Sequence, residues 1–119
     1  MKILWLTCLL VLIAGAAAAQ TTVAVDIQRA DLAWQAPADG GPVAEYRVQC
    51  GPSSGAYTLP AVTASATTIP IGAVVPGPGR YFCVVSAANQ FGASAPSNEV
   101  AFEAGDVPGA PRDLTIRVR

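Results

Sequence analysis

The sequence predicts an all-β fold, an antiparallel sandwich or barrel of short strands. Ten prolines and eleven glycines recur every few residues and break any long helical pattern. Between these breaks lie short runs that alternate apolar and polar residues and are rich in Val, Thr, Ile and Tyr. The breaks come about every 8–12 residues, the rhythm of a chain that turns back on itself repeatedly.

The runs follow in order. Residues 22–27 put Val23, Val25 and Ile27 on one face, and residues 31–35 do the same with Leu32 and Trp34. The stretch from Ala36 to Pro42, with Pro37, Asp39, Gly40 and Gly41, has strong turn chemistry. Residues 45–50 alternate Tyr46, Val48 and Cys50, and a second turn, Gly51-Pro52-Ser53-Ser54-Gly55, leads to a short strand over 57–59. Residues 67–71 form a strand that Pro70 confines to an edge or bulge. After the stiff Pro76-Gly77-Pro78-Gly79 connection, Tyr81, Cys83, Val85 and Ala87 share one face. The turn Asn89-Gln90-Phe91-Gly92 and a last strand over 98–103 complete the series.

The first residues are expected to be removed. Lys2 precedes an apolar run over residues 3–14, and Ala17-Ala18-Ala19 supplies the small residues of a cleavage site, leaving Gln20 as the mature N-terminus. A signal peptide over residues 1–19 implies export, so a secreted or periplasmic protein; uncleaved, it would be the chain's only hold on a membrane. Cys8 would leave with the leader. Cys50 and Cys83 would then meet an oxidising compartment, where such a pair becomes a disulfide or persists as two buried thiols. Both sulfurs fall on the apolar face of their strands.

Composition excludes several functions. Without Lys2, six arginines face eight acidic residues, a net charge of −2 with no basic patch for nucleic acid. The chain has no histidine, which removes the usual general base and zinc ligand. The carboxylates are scattered, with no spacing that forces a catalytic pair. Asp39 with Gly40 and Gly41 offers too few oxygens for calcium, and residues 51–55 lack the lysine and helix of a phosphate loop. No enzyme, cofactor or metal is expected.

Several segments together resemble the fibronectin type III family. They are Trp34 in a Leu-x-Trp strand, Tyr46-x-Val48, Tyr81 to Gly92 with Val85, Ala87 and Asn89, and the approach Ser94-Ala95-Pro96-Ser97-Asn98-Glu99-Val100 to the last strand. The stretch from Tyr46 to Tyr57 is similar to the bacterial branch, in which a Gly-x-Ser-x-Gly-x-Tyr turn follows the third strand. The resemblance covers nearly all of the domain expected over residues 20–104. It implies a seven-stranded antiparallel immunoglobulin-like sandwich in which the third, sixth and seventh strands share a sheet. Cys50 and Cys83 would then be neighbours able to pair. It also implies a core of Trp34, Tyr46, Val48, Tyr81 and Val85, with the Tyr81 phenol bonded to backbone around residues 73–76. The usual proline-rich entry to the first strand is missing.

The tail, residues 105–119, carries what the start lacks. Leu114, Ile116 and Val118 alternate with polar residues behind Val107-Pro108-Gly109-Ala110-Pro111. Three readings stay open: a linker, a strand that packs on its own domain or completes a sheet edge, and a strand donated to another copy or another protein. The expected function is a non-enzymatic binding module with an unknown protein or glycan partner. Its candidate contact residues are Pro37, Asp39, Asn89, Gln90 and Phe91, with Tyr57 as a possible addition. Phe91 would either anchor a contact or fold back over the core. The alternative is a structural subunit of the envelope or an extracellular appendage that self-associates through the C-terminal strand.

Overall fold

The computed structural model describes residues 21–119, so the expected leader at residues 1–19 lies outside the described residues. Eight strands form among them: β1 (Thr22–Asp26), β2 (Asp31–Ala33), β3 (Glu45–Gly51), β4 (Val62–Ala64), β5 (Thr68–Pro70), β6 (Gly79–Asn89), β7 (Gly92–Ala93) and β8 (Val100–Gly105). A short 3-10 helix, Ile71–Ala73, is the one helical element among the described residues. The large sheet runs β1-β8-β6-β3-β4, with β7 hairpinned onto β6; β2 and β5 form a second sheet. The fold is all-β with open sheets, an arrangement compatible with a β-sandwich.

One core joins the two sheets. Val48, Cys50, Tyr81, Cys83 and Phe102 from the large sheet pack with Ile69 from the small one and with Ile71, Val74 and Val75 after it. Leu32, Trp34, Val25, Ile27 and Val85 are half-buried against that cluster. Tyr46 is buried, and its ring meets Trp34 edge-on at 5.4 Å between centroids, a favoured aromatic geometry.

The central element is the β3–β6 pair, in which Cys50 lies directly opposite Cys83. The Cys50 carbonyl accepts from Leu59 N on the far side of β3, and the Val85 N–H and C=O bond to Ser97 on the far side of β6. In an antiparallel ladder, residues that bond outward form the close, non-hydrogen-bonded pairs. Cys50 and Cys83 are such a pair, with Cα atoms 4.1 Å apart, and a disulfide joins them.

Several expectations are corrected. The strands are not all antiparallel: β1 pairs in parallel with β8, from Thr22 beside Ala101 to Asp26 beside Gly105. Arg29 N and Ala30 N both bond the Asp26 carbonyl, and Gln28 N bonds Asp26 Oδ1. The chain thus crosses from one sheet to the other instead of folding into a hairpin. Val23 is consequently exposed, while Val25 and Ile27 pack on the core. The strand expected at 57–59 does not form; the edge strand is β4, because residues 51–57 coil into a tight turn. The Tyr81 hydroxyl donates to Gly77 O at 2.8 Å, just beyond the 73–76 stretch expected to receive it. The tail beyond Gly105 forms no strand and does not pack on its own domain: Leu114, Ile116 and Val118 are 98%, 92% and 88% exposed.

Gly51 ends β3 where backbone crosses backbone. A Cβ there would lie 1.8 Å from Ala56 O, so only glycine fits. Replacing Gly51 with Ala should lower unfolding free energy by about 2–3 kcal/mol, measured by urea denaturation. Reduction of the disulfide should cost about 3–4 kcal/mol in the same assay, from the chain entropy of the 33-residue separation it closes. Thiol labelling of the unreduced protein should find neither Cys50 nor Cys83 reactive.

Candidate functional site

The β6–β7 hairpin and the loop before β3 meet at one end of the molecule. Asn89 joins them. Its Nδ2 donates to Pro42 O at 2.9 Å, and its Oδ1 accepts from Phe91 N at 2.8 Å. Ala44 N adds a bond to Ala88 O at 2.8 Å. A two-residue connection, Gln90-Phe91, closes the hairpin, and Gly92 takes a positive φ of 142° that a side chain would strain. Phe91 does not fold back over the core; it is 86% exposed at the tip.

The five residues read as a contact surface therefore do converge. Pro37, Asp39 and Asn89 line a shallow hollow of about 300 Å³ floored by Gly40 and Gly41. Asn89, Gln90 and Phe91 line a second hollow of about 270 Å³ with Pro42, Val43 and Ala44. Pro42, Val43 and Asn89 line both hollows, so the two adjoin along the loop that the Asn89 side chain holds. Together they present an aromatic ring, a primary amide and a carboxylate. Among the described residues no three His, Cys, Asp or Glu side chains gather to hold a metal.

Tyr57 is not part of this end. It belongs to a cluster at the opposite end of β3 that sequence spacing did not reveal. Glu99 Oε1 accepts from Ser54 Oγ at 2.7 Å, while Oε2 accepts from Gly55 N at 3.0 Å and from the Tyr57 hydroxyl at 2.5 Å. The carboxylate thereby ties the tight turn at 51–57 to the start of β8. The Tyr57 phenol is held above its ordinary pKa of 10.0, chiefly by its hydrogen bond to Glu99, then by burial and the nearby negative charge. Glu99 sits 42 residues from Tyr57 in sequence, and nothing in its local context marks the pairing.

No match to this chain was found among protein-family models, curated proteins or solved structures.

Asn89→Ala should lower stability by about 1–2 kcal/mol through its two lost bonds, and should speed amide exchange at Phe91. Tyr57→Phe should cost about 1 kcal/mol near neutral pH. Because the folded pKa is raised, that contribution is fully present below pH 10.0 and is lost as pH rises through the folded value. Wild type and Tyr57→Phe should therefore converge in denaturation experiments at high alkaline pH.

Proposed function

We propose that this chain is an exported, non-enzymatic binding domain of the fibronectin type III kind, which engages a protein or glycan partner through its Phe91 end. The observation that carries this reading is the exposure of Phe91 on a hairpin held from both sides by Asn89. An exposed aromatic on a mobile loop loses entropy on binding; one on a pinned tip loses little, which favours its use as an anchor.

Several features support the family part of the proposal. β8, β6 and β3 are neighbours, β2 and β5 face them across one core, Trp34 packs on Tyr46, and Tyr81 bonds back to Gly77. The parallel β1 is a departure from the plain antiparallel pattern. The disulfide agrees with an oxidising destination, and the leader-like residues 1–19 agree with export.

Phe91→Ala should leave the melting temperature unchanged and weaken retention of the partner from envelope extract or glycan array about tenfold or more. Tyr57→Phe, altered at the other end, should bind as wild type does. Equal binding by Phe91→Ala and wild type would place the contact elsewhere.

A further inference from the structure

The small sheet has an unused edge. Ala30 O accepts from Ile71 N, and Trp34 N donates to Thr67 O, so the even-numbered residues of this segment bond toward β5. The N–H and C=O groups of Asp31, Ala33 and Gln35 consequently point the other way. Among the described residues no strand lies on that side of β2, because β1 has joined β8 in the other sheet. An unpaired strand edge is a template for another strand.

Beside this edge runs a groove with an apolar lining. One section, of about 410 Å³, lies between Leu32 on β2 and Trp34 just after it and Val84, Val85 and Val100 across from them. Trp34 and Val85 also line a second section of about 240 Å³. The Trp34 indole N–H is shielded from solvent and has no hydrogen-bond partner among the described residues.

The tail of this chain has what such an edge lacks. Leu114, Ile116 and Val118 alternate with Thr115 and Arg117, all unpaired and exposed. That segment is five residues long, as is the stretch from Asp31 to Gln35. Charge is complementary as well. Residues 107–119 carry three arginines and one aspartate, a net +2; residues 21–106 carry three arginines and seven carboxylates, a net −4.

We propose that the C-terminal segment of a second copy of this chain adds to the open edge of β2, placing alternate apolar side chains in the groove. The donor is a second copy because the same chain leaves its own Leu114, Ile116 and Val118 unpaired and almost fully exposed. Each copy both donates and accepts, so association is either a reciprocal dimer or a head-to-tail series. This inference is independent of the Phe91 surface.

The test is solution mass by light scattering on the exported protein over a range of concentrations. The full chain should exceed monomer mass as concentration rises, and a chain ending at Asp106 should remain monomeric. Ala33→Pro removes an N–H that the β2–β5 ladder does not use, and should also give a monomer. As a measurement that does not depend on the folding of that variant, a synthetic peptide of residues 110–119 is titrated into the chain ending at Asp106. It should bind saturably, shift Trp34 fluorescence and slow amide exchange at Ala33 and Gln35. A full chain that stays monomeric, association that survives loss of the tail, or a peptide that leaves Trp34 unaffected would each overturn the proposal.

Discussion

The fold depends on the register between β3 and β6. These are the two longest strands, and every other strand of the large sheet is placed by pairing with one of them or, for β1, through β8. A slip of one residue would turn Tyr46, Val48 and Cys50 to the outer face while Ala87, Val85 and Cys83 on β6 kept theirs. The Cys50–Cys83 bond forbids that slip at a position where the ladder itself brings side chains closest. With the register fixed, the Phe91 hairpin is a direct extension of β6, and its position is inherited from the same ladder.

The second requirement is that polar backbone be satisfied where the strands end. Between β7 and β8 the chain runs beside β6 without forming a regular strand, and two serines complete the bonding. Ser94 Oγ accepts from Ala87 N while Ser94 N donates to Ala87 O; Ser97 does the same with Val85. Hydroxyls thus stand in for the carbonyls of a missing stretch of strand, which accommodates Pro96. At the other end Glu99 plays a comparable part for the turn after β3. The polar contacts are divided in purpose: those around Asn89 present a surface, and those around Glu99 close one.

Much of this was legible in the sequence because period-2 patterning reports which face a residue occupies. Tyr46, Val48, Cys50, Tyr81 and Cys83 were all expected inside and are buried. Turn chemistry likewise marked the two loops whose residues converge on Asn89. What remained hidden depends on contacts distant in sequence. The pairing of β1 with β8 joins segments at opposite ends of the domain, and the same alternation of Val23, Val25 and Ile27 suits either sheet. Glu99 resembles an ordinary strand-flanking acid until the fold brings Ser54, Gly55 and Tyr57 to it. The apolar pattern of Leu114, Ile116 and Val118 indicates a strand, yet a pattern in one chain does not state which edge it completes.

The most direct test of the central constraint is native-state amide hydrogen exchange on the oxidised protein. The amides of Arg47, Gln49, Val84 and Ser86 point into the β3–β6 ladder, in the two hydrogen-bonded pairs that precede the disulfide pair along β3. They should be among the slowest to exchange and should report global unfolding, while Gly40 and Gln90 exchange rapidly. Exchange at those four ladder amides as fast as at Gly40 and Gln90 would contradict the account.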